Sequence, residues 1–277
     1  MNTVPQVSII IPVYNAGSHL PTALRSLDCQ TYRRFEVVIV DDGSTDAHTR
    51  RVLERIERDA YATIHRTSNR GPGAARNFGI ERARGAYILP LDADDELGPT
   101  FLARTVAVLD AEPETGIVAT WASLVGGHAG VWRTGEFSLE ALLTRSTIPV
   151  TSLFRRSVWE AVGGFDATFL NGGEDWEFWL SAAARGVRAH IVAEPLFIYR
   201  RVPDSRELRA RAPHTAASVM RQIVAKHRAL YTTHLDTALA QLYAQYSDVC
   251  IALEHVYRHP LLRTALRLRA LFGQRTP

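Results

Sequence analysis

Residues 35–46 read FEVVIVDDGSTD, and that stretch decides the fold. Phe35 to Val40 is a β-branched, mostly apolar run of the length expected of a buried strand. Turn and cap chemistry comes next: Asp41, Asp42, Gly43, then Ser44 or Thr45 placed to cap a helix over TDAHTRRVLERIERD, residues 45–59. Upstream, AGSHLPTALRSLDCQ (residues 16–30) sets Leu20, Leu24 and Leu27 at helical spacing, with Ser18 as the expected N-cap. Before it, VSIIIPV (residues 7–13) is a second buried strand. Strand, helix, strand in that order implies parallel pairing through a right-handed crossover.

Working outward, the alternation continues. ATIHR (62–66), AYILPL (86–91) and TGIVATW (115–121) read as strands, and GAARNFGIERAR (73–84) and GPTFLARTVAVLDAE (98–112) as helices. The predicted fold class is therefore α/β, a doubly wound, mostly parallel sheet flanked by helices. From residue 121 to 149 glycine rises and periodicity weakens, which predicts an irregular or antiparallel segment. Helices return at RRSVWEAVG (155–163) and EDWEFWLSAAARG (174–186), then a strand at RAHIVAEPLFIYR (188–200). Residues 206–277 carry helical pattern only, so the expected boundaries are a main domain over 1–205, with halves 1–120 and 121–205, and a C-terminal helical region over 206–277.

Composition narrows the class. The 277 residues hold 32 Lys plus Arg against 29 Asp plus Glu, a net +3 that is too small to argue for a nucleic-acid partner. Only Lys226 is a lysine, so the positive charge is nearly all arginine, the side chain suited to bidentate contact with phosphate and carboxylate. Cys29 and Cys250 match no metal-ligand spacing, and the first apolar run is too short for a signal or a span. A cytoplasmic protein is the expectation. The basic, apolar HPLLRTALRLRALF (259–272) is compatible with peripheral contact at the inner membrane face, or with ordinary packing.

Acids at the carboxyl ends of parallel strands carry the chemistry, because ligands of open α/β sheets bind in that crevice. One set is Asp41, Asp42 and Asp46; the other is LDADDE (91–96), with Asp92, Asp94 and Asp95 in four positions. Crowded carboxylates are costly unless a cation sits among them, and Mg2+ or Mn2+ answers that need by sharing oxygen ligands with a substrate phosphate. A turn with a helix cap also accounts for DGSTD, but a plain turn does not need three acids in four places.

NRGPGAARNFG (69–79) begins like a dinucleotide fingerprint yet lies outside the first strand-to-helix turn and has Arg76 where a third glycine belongs. That leaves a glycine-rich loop opening a helix, with Arg76 either a diphosphate contact or a solvated helix arginine. In NGGEDWEFWL (171–180), Glu174 and Asp175 start a helix whose Trp176, Phe178 and Trp179 can supply apolar walls. A carboxylate in that setting is expected to have a raised pKa and to act as a general base, although first-turn acids also complement a helix dipole. His255 and His259 share a helix face but lack zinc-protease order.

In order and spacing, VSIIIPVYN, QTYRRFEVVIVDDGSTD, GPGAARNFGI, YILPLDADDEL, GGFD and GGEDWEFWL followed by YR resemble the family 2 inverting glycosyltransferases of GT-A fold. The resemblance covers about residues 7–201 and implies a donor site. Pro12 and Tyr14 would lie against the nucleotide, with Tyr14 near the base and Asp42 accepting the base ring N–H. Arg76 would sit near the base or diphosphate. Asp92, Asp94 and Asp95 would hold ribose and a divalent metal: Asp94 is the choice for the ribose and a second metal candidate, Asp95 the choice for the metal, and Asp92 supports them. Asp175 would be the base, with Glu174 the second candidate. The implied partners are a nucleotide-diphosphate sugar and a glycan or glycolipid acceptor; the oligomeric state stays open. Two other classes compete: a sugar-phosphate nucleotidyltransferase, which would carry a charged glycine-rich loop where this chain has PVYNAGSHLP, and a non-catalytic binding subunit, which would not need all three acid sets.

Overall fold

In the computed structural model, which describes residues 5–127, 129–201 and 212–258, the first strand is β1 (Val7–Val13). Val7, Ile9, Ile10, Ile11 and Val13 are at most 1% exposed, so β1 is buried on both faces as a central parallel strand must be. It pairs in parallel with β2 (Phe35–Asp41) on one side and β4 (Tyr87–Pro90) on the other, and β2 pairs in parallel with β3 (Thr63–Arg66). The remaining strands are β5 (Glu96–Leu97), β6 (Thr115–Val125), β7 (Gly130–Trp132), β8 (Leu153–Arg155) and β9 (Arg188–Arg200). The sheet order is β3-β2-β1-β4-β8-β6-β9-β5, with β7 on β6. β8 runs antiparallel between β4 and β6, whereas β6 and β9 are parallel. The segment after β6 is antiparallel at β7, as its glycine content predicts.

Pro12 and Pro90 are tolerated for a reason visible in the register. Leu91 N donates to Ile10 O, so the even-numbered residues of β1 turn toward β4. β4 ends at Pro90, opposite Ile10, so Pro12 lies beyond the last β1–β4 pair and Pro90 is the last residue of its strand, positions where a missing N–H costs least.

Helices α1 (Leu20–Asp28), α2 (Ala47–Arg58), α3 (Pro72–Arg82) and α4 (Phe101–Ala111) connect the first strands. They bury Leu20 and Leu27, Leu53, Ile80, and Phe101 with Leu102, each at most 1% exposed. α3 lies so close to the sheet that a Cβ at Gly79 would stand 2.7 Å from Ile10 Cγ2 and 3.1 Å from Val40 Cγ2. Two caps differ from expectation. α1 starts after His19, without a side-chain cap, and Pro21 in its first turn removes one N–H that would need capping. α2 is capped by Asp46, whose Oδ1 accepts from Thr49 N at 2.8 Å, because Ser44 and Thr45 are engaged elsewhere.

After the short α5 (Leu139–Leu142), two adjacent arginines close helix ends. Arg155 donates to the carbonyls of Leu109 in the last turn of α4 and of Glu112 and Thr115 beyond it, and Arg156 to those of Ile80 in the last turn of α3 and of Ala83 and Gly85 beyond it. Guanidinium groups suit such sites because helix C-termini present unpaired carbonyls and partial negative charge. α6 (Arg156–Val162) and α7 (Glu174–Ala183) come next, then α8 (Pro213–Lys226), α9 (Arg228–Thr233) and α10 (Leu235–Arg258).

The chain divides into two compact units, residues 1–228 and 229–277. The first contains the sheet and α1 to α8. In the second, α10 leaves Leu239, Leu242, Tyr246, Val249 and Leu253 exposed. No helix among the described residues is long and apolar enough to cross a membrane. The basic stretch 259–272, and with it His259, lies outside the described residues. Both cysteines are free thiols.

Candidate active site

The carboxyl ends of β1, β2 and β4 come together at one edge of the sheet, and the loops that leave them are tied to each other. Asn15, next to the half-exposed Tyr14, adopts a left-handed φ of 52°, a conformation asparagine tolerates better than most residues. Its Oδ1 accepts from Thr45 N and Asp46 N, and its own N donates to Ser44 Oγ at 3.1 Å. Gly17 N donates to Thr49 Oγ1 at 2.8 Å. The β1–α1 and β2–α2 loops therefore hold one shape beside Tyr14 and Pro12.

Asp42 is 4% exposed and already engaged. It accepts from Thr67 Oγ1, from Arg70 N at 2.9 Å and from Gly71 N at 2.8 Å, fastening the glycine-rich loop to the end of β2. Asp41 turns the other way and accepts from Ser44 N, shaping the turn into α2.

Arg76 is neither a solvated helix arginine nor open to bulk solvent: it is 2% exposed. Nη2 donates to Asp92 Oδ1 at 2.6 Å and Nη1 to Glu174 Oε1 at 2.8 Å, while Nε has no partner among the described residues. Burial alone would weaken the positive charge, but Asp92 and Glu174 outweigh it and hold the guanidinium protonated. One side chain thus joins the acid cluster after β4 to the first turn of α7.

The acid cluster is graded in exposure. Asp92 is partly exposed, Asp94 intermediate and Asp95 2% exposed. Burial, then repulsion from Asp92, pushes the Asp94 carboxyl up; burial, then repulsion from Asp94 and Asp92, pushes Asp95 well above the usual carboxylate range. Arg200, at the end of β9, counters this. Its N donates to Asp95 Oδ1 at 2.9 Å, its Nε to Asp94 O at 3.1 Å, and its Nη2 pairs with Glu96. Among the described residues no three His, Cys, Asp or Glu side chains are gathered as ligands of one ion. The donor set still suits a hard cation, since Mg2+ and Mn2+ use one or two carboxylates and take the rest of their oxygens from phosphate and water.

On α7, Glu174 is 4% exposed and Asp175 is half-buried, its Oδ1 accepting from Trp176 N at 2.8 Å. The expected aromatic walls are placed differently. Phe178 and Trp179 are 0% exposed and pack into the core against Phe154, with Phe165 stacked on Phe178 at 4.4 Å. Trp176 donates its indole N–H to Leu142 O. The helix turns these large faces inward because the core, and not the crevice, offers apolar surface to bury. Phe165 bears on the site through Arg76, whose guanidinium carbon lies 5.7 Å from its ring.

Three contributors were not among the expected site residues. Asn15 and Arg200 lie at the ends of VSIIIPVYN and IYR, so their positions beside motifs were the available signal. Glu96 had no signal beyond its place in LDADDE.

Known proteins share the family and the fold. The family model Glycosyl transferase family 2 matches residues 8–168. The protein y4gI of Sinorhizobium fredii is 30% identical over 236 residues, 82% of this chain and 26% of its own length. The glycosyltransferase YibD of Escherichia coli is 41% identical over 100 residues, 36% of this chain and 29% of its own. The chain thus spans only about a quarter to a third of the length of these curated relatives. Among solved structures, S. aureus TarS 1-349 in complex with UDP-GlcNAc superposes with a TM-score of 0.66 at 25% identity, over 79% of this chain and 66% of that one. The mannosyltransferase PcManGT of Pyrobaculum calidifontis, in complex with GDP-Man and Mn2+, shares the fold with a TM-score of 0.58 at 20% identity, over 99% and 89%.

Proposed function

This chain belongs to glycosyl transferase family 2, and from that premise we propose that it is an inverting enzyme that moves a sugar from a nucleoside diphosphate sugar to a hydroxyl group of a cell-surface glycan or glycolipid. The observation that carries the reading is the Arg76 bridge, which brings the strand-end acid Asp92 and, 98 positions from Arg76 itself, Glu174 of the ED helix to one guanidinium.

Tyr14 and the loop held by Asp42 would receive the base. Asp42 already takes three donors, and an ionised carboxylate offers about four sites, so one ring N–H can be added. Uracil, thymine and guanine present such a donor and cytosine N3 does not. A UDP-sugar is the first choice, with dTDP and GDP next; TarS binds UDP-GlcNAc and PcManGT binds GDP-Man, both nucleotides that carry the ring N–H.

Mn2+ or Mg2+ at Asp94 and Asp95 would neutralise charge on the departing diphosphate. Asp92, held by Arg76, would orient the ribose side, and Arg200 would keep the acid loop in register. Asp175 would take the proton of the acceptor hydroxyl as its oxygen bonds to the anomeric carbon and the bond to the diphosphate breaks on the opposite face. Glu174, spent on Arg76, is the weaker candidate for that role. Peripheral membrane contact through residues 259–272 remains an expectation from sequence.

The test is release of UDP from UDP-GlcNAc, or GDP from GDP-mannose, by the purified chain with Mn2+. Pyrophosphate release from a nucleoside triphosphate and a sugar phosphate would overturn the reading in favour of a nucleotidyltransferase. Nucleotide binding with no turnover of any donor or acceptor panel would favour a non-catalytic subunit.

A further inference from the structure

The lone lysine of the chain lies behind the ED helix. Lys226, the last residue of α8, places Nζ 2.7 Å from Asp166 Oδ2 and 3.0 Å from Glu177 Oε1. His227 Nε2 lies 2.9 Å from the same Glu177 oxygen, and Ser181 Oγ donates to it at 2.7 Å. Glu177 is 0% exposed, and its Oε2 has no partner among the described residues. A buried carboxylate in this state depends on its partners staying in place, here Lys226, His227 and Ser181. The backbone contact is equally close: Gly173, with φ 85°, would bring a Cβ within 2.4 Å of Val219 Cγ1 on α8, so α8 abuts the turn that starts α7.

Glu174 and Glu177 are three residues apart and thus on one face of α7. The first is anchored to Arg76 on the side of the acid cluster, the second to Lys226 on α8. Asp175 belongs to the same turn, about 100° around the helix from Glu174. The core side chains Phe178 and Trp179 hold the middle of α7, so these two anchors bear on its first turn, where Asp175 stands.

We propose that Lys226 is a positioning residue for sugar transfer: by bridging Asp166 and Glu177 it fixes the first turn of α7 and so the direction in which Asp175 presents its carboxylate. This rests on the reading of Asp175 as the base. Misplacing a reacting group by about 1 Å costs roughly a hundredfold in rate, so a tenfold to hundredfold loss of kcat is expected, with no direct effect on donor binding.

The experiment compares Lys226→Met, Lys226→Arg and the near-isosteric Glu177→Gln with wild type. The assay is hydrolysis of UDP-GlcNAc or GDP-mannose, whichever the wild type cleaves, with water in place of the acceptor. Lys226→Met should lower kcat tenfold or more with the donor KM within about twofold, and Lys226→Arg, which keeps a cation within reach of both carboxylates, should recover most of it. In parallel, amide hydrogen exchange over residues 174–178 should quicken in Lys226→Met and not in Lys226→Arg. Unchanged kcat, a kcat loss matched by equal loss of donor affinity, or unchanged exchange would overturn the proposal. If Lys226→Met does not fold, Glu177→Gln decides by the same split. If wild type turns over no UDP-, dTDP- or GDP-sugar with or without an acceptor the functional reading fails, and the exchange measurement still decides whether Lys226 holds α7.

Discussion

Arg76 Nη1 donates to Glu174 Oε1 at 2.8 Å, a contact between residues 98 positions apart that unites the two halves of the site. Both side chains are at most 5% exposed, so the pair is a buried one whose value depends on every partner being present. Arg76→Met should cost about 3–5 kcal/mol by removing the guanidinium that both Glu174 and Asp92 bond. Arg76→Lys should keep most of the stability but lose activity at least tenfold, since an ammonium cannot fork to two carboxylates in one plane. Urea denaturation and donor turnover check the two parts separately.

Asp175→Asn is expected to lower transfer by a factor of about 100 or more while nucleotide affinity stays within about threefold. Glu174→Gln should show the opposite profile, with stability falling first. Calorimetric titration of UDP alongside turnover distinguishes them, and full activity in Asp175→Asn would remove it from the base role.

For the metal, Asp94→Asn and Asp95→Asn should each raise the Mn2+ concentration giving half-maximal turnover by about tenfold or more, and chelation with EDTA should abolish turnover. A Mn2+ titration read by paramagnetic resonance, which needs no turnover, gives the binding directly. Turnover indifferent to EDTA would exclude the assignment.

Glu36 offers a pH signature away from the site. Burial raises its carboxyl, but hydrogen bonds from Ser8 Oγ, Arg84 N and Arg84 Nε outweigh that and hold it below the ordinary value of 4.5. A folded-state value below the unfolded one adds stability that is present above about pH 4.5 and lost as pH falls through the folded-state value. Glu36→Gln should therefore cost about 1 kcal/mol at pH 7, the figure being small because the group is partly solvated, and should flatten the acid limb of the stability curve. Thermal melts between pH 3 and 7 read both effects.

The doubly wound half was legible because β1 and β2 are buried on both faces and announce themselves as uninterrupted apolar runs ending in acids. β5 and β8, of two and three residues, were not, since pairings that short leave no periodicity to read. The acids at strand ends could be found from position alone. What they touch could not: the partner of Arg76 is chosen by the packing of α3 against α7, and sequence carries no record of which of several acids a buried guanidinium meets. The inward turn of Phe178 and Trp179 escaped for the related reason that an aromatic run beside a carboxylate looks alike whichever way the helix is rotated.

Because Lys226 is the only lysine in these 277 residues, the chain carries a chemical reporter of its own. Burial would favour the free amine, but Asp166 and Glu177 outweigh it and keep Nζ protonated, which shields it from acylation. The rate at which an amine-directed acylating reagent consumes that single ε-amine, whose side chain is 40% exposed, therefore reports how often its contacts with Asp166 and Glu177 open. A mass spectrum of intact protein taken over time would track that opening in the unmodified sequence, with the α-amino group as the sole other amine to be accounted for.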